Sequence, residues 1–393
     1  MKKVKFFIDD IPVEGSQDES IWTIAKRYGT TLPHLCYSDK PGYRADGNCR
    51  ACMVSIEGER VLAASCIRTP SEGMKVYTKD ERSSKSREMV IELLVTDQPK
   101  KEICHDPDSH FWQMADKVNV KKSRFDKRNP ETIPEADNSH VAMSVNLDAC
   151  INCNLCVRAC REVQVNDVIG MGNRGHTSQV IFDFNDPMGD STCVSCGECV
   201  QACPTGALME SNLLDEKGKK VVKPDRKVDS LCPYCGVGCQ LTYNIKGEKI
   251  VSVDGRDGPA NNNRLCVKGR FGFDYIHNPE RLTKPLIRKD GIPKDPKERV
   301  DPLNPLSHFR EATWDEALDL AANKLLKIRD SKNGKKALAG FGCAKGSNEE
   351  AYLFQKLVRT GFHNNNVDHC TRMCHASSVA ALMEAIGTGA VTA

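Results

Sequence analysis

CINCNLCVRAC at residues 150–160 and CVSCGECVQACP at residues 193–204 share one spacing, C-x2-C-x2-C-x3-C, and Pro204 closes the second run. Three cysteines spaced in this way sit on a turn and point their thiolates at one face of a cubane cluster. The fourth, three residues on, begins a helix and ligates the other cluster. The duplicated run therefore predicts one [4Fe-4S] site from Cys150, Cys153, Cys156 and Cys203, and a second from Cys193, Cys196, Cys199 and Cys160. Four thiolates also suit tetrahedral zinc, which is the alternative. Zinc ribbons use cysteine pairs, however, rather than two runs of four with a trailing proline.

Outward from this run the cysteines continue in blocks. The chain has 393 residues and 20 cysteines, enough length for two to four domains. Cys36, Cys49, Cys52 and Cys66 are spaced C-x12-C-x2-C-x13-C, and Cys232, Cys235, Cys239 and Cys266 are spaced C-x2-C-x3-C-x26-C. Cys104, Cys343, Cys370 and Cys374 are left over. A net charge of +3 gives no support to a nucleic-acid partner. Mean hydropathy is −0.47 and no apolar run is long enough to span a membrane. The start, Met1-Lys2-Lys3 with Asp9-Asp10 soon after, lacks the apolar core and cleavage site of a signal peptide, so a cytoplasmic location is expected. In a reducing compartment such cysteines hold metal rather than form disulfides.

Residues 140–210 resemble the two-cluster bacterial ferredoxins. Near the N-terminus, Val4, Phe6 and Ile8 alternate as a strand, Asp9-Asp10 supplies a turn, and Ile21, Ile24, Ala25 and Tyr28 form an apolar helix face ended by Gly29. The loop with Gly42 and Gly47 can wrap a cluster closely. This region resembles the N-terminal [2Fe-2S] β-grasp domain of the large iron–sulfur subunit of complex I and related soluble dehydrogenases. That resemblance implies that Cys36, Cys49, Cys52 and Cys66 hold a [2Fe-2S] cluster; zinc stays the alternative, because the first gap is irregular. The same families usually follow with one histidine and three cysteines for another cluster. Here a helix marked by Met89, Val90, Ile91, Leu93 and Leu94 is followed only by Cys104, His105 and His110. The segment is expected to keep the fold without the metal, with both histidines as polar surface or capping residues.

CPYCGVGC at 232–239, CVKGR at 266–270 and FGFDYIHNPER at 271–281 resemble the start of the molybdenum- or tungsten-bis-pyranopterin oxidoreductases of the dimethyl sulfoxide reductase superfamily, and in particular cytosolic NAD-linked formate dehydrogenases. The resemblance implies a third [4Fe-4S] cluster on Cys232, Cys235, Cys239 and Cys266. It places Lys268 between that cluster and the pterin; a plain surface lysine is the alternative. Further on, Thr313 and Glu316 predict a capping box for a helix burying Ala317, Leu318, Ala321 and Leu325. Asn333-Gly334 turns the chain, 337–342 reads as a buried strand, and Ser347 with Glu350 caps a helix ending near Gly361. The strand-to-helix loop through Cys343, Lys345 and Ser347 is placed to meet a pterin or its nucleotide phosphate, or is a plain connection. In NNVDHCTRMCHAS at 365–377, the resemblance makes Cys374 the protein ligand of molybdenum or tungsten and His375 its proton-managing neighbour. Without it Cys374 reads as a buried free thiol. Ala376 and Ser377 depart from the Gly-Pro that follows this histidine in some members.

The expected fold is therefore α+β and multidomain. It comprises a β-grasp [2Fe-2S] domain (1–78), a helical segment without its ligands (79–137), a two-[4Fe-4S] ferredoxin-like domain (138–224), a [4Fe-4S] domain (225–283) and the start of an α/β bis-pyranopterin domain (284–393). The last is expected to be incomplete by itself, because one βα unit leaves an open edge and an uncovered apolar face. The resemblance implies formate oxidation to CO2, or the reverse, on a Mo- or W-bis-molybdopterin guanine dinucleotide. Electrons would pass through one [2Fe-2S] and three [4Fe-4S] clusters to a flavin and iron–sulfur diaphorase-type partner using NAD(P), with ferredoxin or hydrogenase subunits as further partners. The rival reading is a non-catalytic electron-transfer subunit of a complex I-like NADH dehydrogenase or hydrogenase, which would need no metal ligand at Cys374.

Overall fold

Alternation along β1 (Lys3–Ile8) buries Val4, Phe6 and Ile8 on one side. Asp9 and Asp10 both take left-handed backbone, with φ of 49° and 63°, and close a two-residue hairpin onto β2 (Ile11–Ser16). Ser20 caps α1 (Ile21–Arg27) by accepting from the Thr23 amide, and Ile21, Trp22, Ile24 and Ala25 fill the core. Tyr28 does not extend that face; it caps the helix C-terminus and is half exposed, with Gly29 beyond it at φ +84°. Strands β3 (Met53–Ile56), β4 (Ala63–Ala64) and β5 (Lys75–Tyr77) complete a sheet of order β2-β1-β5-β3-β4. Within it β1 runs parallel to β5 and the other pairs are antiparallel, which is the β-grasp arrangement. Each aliphatic side chain buried here contributes about 1.5–3 kcal/mol.

The structure, a computed structural model, describes residues 2–126, 133–295, 297, 299–343 and 346–389. Asp80 caps α2 (Glu81–Asp97), and Arg87 fastens that helix to the sheet by donating to the carbonyls of Met53 (2.7 Å) and Thr78 (2.6 Å). Ile91 and Val95 pack against Phe111, Trp112 and Ala115 of α3 (His110–Lys117), whereas Leu93, expected inside, is half exposed. Two antiparallel pairs follow: β6 (Met143–Val145) with β9 (Leu208–Glu210), and β7 (Ile169–Gly172) with β8 (Gln179–Phe182). They enclose α4 (Leu155–Arg158) and α5 (Glu198–Ala202). Both helices begin before the third cysteine of their run, not at the fourth as expected. Left-handed Asn154 and Gly197 turn the chain into the helices, which start at Leu155 and Glu198. A three-stranded sheet of β10 (Arg226–Leu231), β11 (Gln240–Lys246) and β12 (Lys249–Gly255) leads to α6 (Val267–Phe271).

Two compact units result: Met1–Ser230 with Cys239–Phe271, and Leu231–Gly238 with Gly272–Ala393. The second contains the antiparallel pair β13 (Leu286–Arg288) and β14 (Phe309–Glu311), then α7 (Trp314–Arg329). Thr313 caps α7, but the Glu316 carboxylate pairs with Arg310 instead of closing the expected box. The face predicted to be buried is uncovered: Leu318 is 59% exposed, and Ala321 and Leu325 are exposed too. Among the described residues no layer packs over that face, so its apolar periodicity has formed the helix without burying it. The expected strand at 337–342 shortens to β15 (Gly340–Gly342), because the Leu338 carbonyl is taken by the side-chain amides of Asn364 (3.0 Å) and Asn366 (3.1 Å). The Ser347–Glu350 capping box is complete on α8 (Asn348–Lys356), and the helix runs on as a π-turn to Gly361. Parallel to β15 lies β16 (Val367–His369), followed by α9 (Thr371–Cys374) and α10 (Ala376–Ile386). Among the described residues no helix is long and apolar enough to cross a membrane.

Candidate iron–sulfur and metal centres

The irregular spacing of the first cysteine set hides a tight convergence. Cys49 and Cys66 both lie within hydrogen-bonding reach of Cys36, and Cys66 also reaches Cys52. Backbone amides point at the sulfurs: Cys49 N–H at Cys36 Sγ, and Cys36 N–H at Cys49 Sγ, each 3.4 Å. Hydrogen bonds from Cys49 and Cys66 hold the Cys36 thiol far below its usual range, and Cys66 draws Cys52 down to about 7. The same bonds push Cys49 and Cys66 up. Four thiols brought this close together suit a shared metal, which would stabilise all of them as thiolates.

In the duplicated run the thiols regroup across the repeats. Burial raises the Cys153 thiol first, and the charge at Cys203 raises it next; Cys150 acts on it too. Cys196 and Cys199 are likewise raised by burial, with Cys193 and Cys160 adding to it. Cys203 thus lies near the cysteines of the first run, and Cys160 near those of the second. A cavity walled by Leu147, Ile151, Val180 and Leu208 is lined by Cys150, Cys153, Cys156 and Cys203. The loops match in detail: Asn152 and Asn154 in one, Ser195 and Gly197 in the other, are left-handed. The amides of Asn152 and Ser195 each approach the first sulfur of their run at 3.4 Å. Soft thiols with amide hydrogens aimed at sulfur, in an apolar surround, suit iron–sulfur clusters.

Sequence reasoning missed the charged groups beside these sulfurs. Arg158 and Arg270 are 2% and 1% exposed. Glu198, between two cysteines of the second run, is also buried and accepts from Tyr43 Oη (2.8 Å) while pairing with Arg270 (3.4 Å). A signal was present: Arg158 and Gln201 hold the same place in the two runs.

Cys239 leads into β11 and Cys266 precedes α6. Asn261 ties these two stretches together: its Oδ1 accepts from the Gln240 amide (3.0 Å), and its Nδ2 donates to the carbonyls of Gln240 (2.9 Å) and Arg264 (2.9 Å). Lys268 is exposed on α6. Cys232 and Cys235 lie in the second unit, where Tyr234 donates to the Gly272 carbonyl and meets Tyr275 edge-on at 6.0 Å. Cys374 is exposed, not buried, at the end of the single turn after β16, with His375 half-buried next to it. A cavity of about 700 Å³ opens at the C-terminal ends of β15 and β16, lined by Gly342, Cys343, Gly346, Glu350 and His369 among others. That edge is where parallel sheets take ligands. Cys374 and His375 do not line it, and Lys345 lies outside the described residues.

Around Cys104 the polar side chains bond to the protein itself. Cys104 is buried and donates to the Lys101 carbonyl (3.1 Å). His110 donates to the His34 carbonyl (2.8 Å). His105, expected at the surface, is largely enclosed between two acceptors, the Gly218 carbonyl (2.8 Å) and Asp148 (2.8 Å). Burial pulls its pKa down, but the hydrogen bond and charge of Asp148 outweigh that and leave it raised. His105 thus bridges two segments through both ring nitrogens.

Four family models match the chain. Residues 1–81 match a 2Fe-2S iron–sulfur cluster binding domain, and 149–207 a 4Fe-4S dicluster domain. Residues 225–278 match the molybdopterin oxidoreductase Fe4S4 domain, and 281–392 molybdopterin oxidoreductase. This combination defines a redox protein built from iron–sulfur modules joined to a pterin-binding α/β domain. Its C-terminal part, residues 281–392, is thus similar to the molybdopterin oxidoreductases, and the residues before it are similar to iron–sulfur domains. It is 30% identical to a Bacillus subtilis protein named "Probable oxidoreductase YjgC", over 97% of this chain and 40% of that protein. It is also 30% identical to a Staphylococcus haemolyticus protein named "Putative formate dehydrogenase SH0748", over 94% of this chain and 39% of the other. The chain thus spans about 40% of the length of these curated relatives. Among solved structures, an NAD+-reducing [NiFe]-hydrogenase in the H2-reduced state is 25% identical with a TM-score of 0.47, covering 53% of this chain and 87% of that one.

Proposed function

We propose that this chain forms the iron–sulfur conduit and the first part of the pterin domain of a formate dehydrogenase. Bound clusters would supply one-electron carriers, and a molybdenum or tungsten bis-molybdopterin guanine dinucleotide would supply two-electron oxidation of formate to CO2, or its reversal. The chain's own residues hold the carriers. Cys36, Cys49, Cys52 and Cys66 grip a [2Fe-2S] cluster, the two crossed sets grip a [4Fe-4S] cluster each, and Cys232, Cys235, Cys239 and Cys266 grip a third. Cys374 is the ligand to the active metal, and His375 manages protons beside it. The observation that carries this reading is the close approach of Cys36 and Cys49 and the gathering of Cys150, Cys153, Cys156 and Cys203 around one cavity, followed in sequence by the molybdopterin oxidoreductase match that contains Cys374. Relatives bearing the formate dehydrogenase name support the choice of substrate. The electron acceptor is a diaphorase-type partner using NAD(P).

Lys268 places an ammonium two residues from Cys266, where it favours an electron arriving on an anionic cluster. Anaerobic addition of formate to the full-length protein is expected to reduce its clusters, and Lys268→Ala to slow that reduction by about tenfold, equivalent to roughly 1.4 kcal/mol. Clusters that stay oxidised with formate would remove the substrate assignment; equal rates in the variant would make Lys268 a surface lysine only.

A further inference from the structure

The two cysteine runs share their cysteines, a valine and an alanine position by position, and they carry their charge at different places. Arg158 in the first run corresponds to Gln201 in the second. Arg158 turns back along its own helix, and its Nη2 donates to the carbonyl of Cys153, the middle cysteine (3.3 Å). Gln201 cannot supply a charge. Instead its Oε1 accepts from Arg270 Nη1 (2.6 Å), and the Arg270 Nε donates to the carbonyl of Cys196, again the middle cysteine (3.3 Å). One run uses its own arginine and the other borrows one from 74 residues away. Both guanidinium groups are buried, and burying a guanidinium costs several kcal/mol before its partners repay it. Packing alone does not require a charge at this point twice.

Arg158 has a second contact that Arg270 lacks. Its Nη2 also donates to the Cys36 carbonyl at 2.5 Å, in the first thiol set. Cys36 and Cys153 share one small buried cluster with Leu155, and Asn48 Nδ2 reaches the Cys153 carbonyl at 3.5 Å. Asp46, 14% exposed, pairs with Arg158 Nε at 3.1 Å and supplies the counter-charge. Charge and hydrogen bonding next to a cluster set its reduction potential.

We propose that Arg158 is a positioning residue shared by two redox centres: its buried charge raises the potentials of both the Cys36 site and the Cys150 site, and its paired carbonyl bonds hold them as one junction. Arg270 serves only the Cys193 site by the same device. The proposal rests on the cluster assignment given above.

Potentiometric titration followed by low-temperature EPR, on the anaerobically reconstituted chain, tests it. Arg158→Gln should move the [2Fe-2S] midpoint and one [4Fe-4S] midpoint negative, with about a tenfold change in the reduction equilibrium, or about 59 mV for one electron. Arg158→Lys should largely restore both. Arg270→Gln should leave the [2Fe-2S] midpoint in place. Asp46→Asn, at a partly exposed site, should move the same two midpoints positive, and it decides the matter if Arg158→Gln does not take up clusters. Clusters present with midpoints unmoved in Arg158→Gln and Asp46→Asn would overturn the role of Arg158 while leaving the clusters assigned. No cluster signal in the unsubstituted chain would overturn the cluster assignment, and this proposal with it.

Discussion

The Cys150→Ser/Cys203→Ser double variant is expected to lose about four irons per chain, no more than either single variant loses. Cys150→Ser/Cys160→Ser should lose about eight, because those two residues serve different centres. The reason is the crossed grouping of thiols. Cys203 acts on Cys153 and Cys156, and Cys160 acts on Cys193, Cys196 and Cys199. Serine is a close match in size but offers a hard oxygen in place of a soft thiolate, so the packing survives while the metal site weakens. Iron and acid-labile sulfide per chain, measured for the four variants, give the answer. The reverse pattern, about eight irons lost from Cys150→Ser/Cys203→Ser and about four from Cys150→Ser/Cys160→Ser, would mean that each run closes its own site, and the crossed assignment would fall.

The second large effect concerns Cys374. In the full-length enzyme, Cys374→Ala is expected to reduce formate turnover at least about 10³-fold, as when a group acting at the reacting centre is removed. Electron transfer from NADH through the partner to an artificial dye should be unchanged, because the cysteine sets that hold the clusters are untouched. The side chain sits one turn past the C-terminal end of a parallel strand, the edge from which α/β sheets reach their ligands. It is exposed and contributes little to a core, so loss of activity could not be ascribed to unfolding. Formate turnover within a factor of two of the unsubstituted enzyme would end the metal-ligand role and favour a purely electron-carrying subunit.

Local features were readable from the sequence where one physical rule acts over a few residues. The alternation of Val4, Phe6 and Ile8, the Asp9-Asp10 turn, the Gly29 stop and the Ser347–Glu350 capping box all depend on neighbours within one turn or one strand. The proximity of Cys203 to the first run was readable because spacing fixes which sulfurs a short loop can present together. Two kinds of feature were not. Helix starts at Leu155 and Glu198 depend on left-handed Asn154 and Gly197, and an asparagine in that conformation carries no strong signal. Long-range charge placement was also hidden: nothing near Arg270 announces that it ends beside Cys196, and His105 reads as a surface residue until Asp148 and Gly218 close around it. Apolar periodicity in α7 foretold a helix but not a cover for it, since periodicity describes a face and not its partner.

The most direct measurement is the iron and acid-labile sulfide content of the anaerobically purified, unsubstituted chain. About fourteen irons are expected, two at the Cys36 site and four at each of the other three, with matching sulfide. Zinc in place of iron, or a preparation without labile sulfide, would contradict the proposal that these sixteen thiols hold iron–sulfur clusters. A value near eighteen would instead place a further cluster in the segment around Cys104, where His105 is held by Asp148.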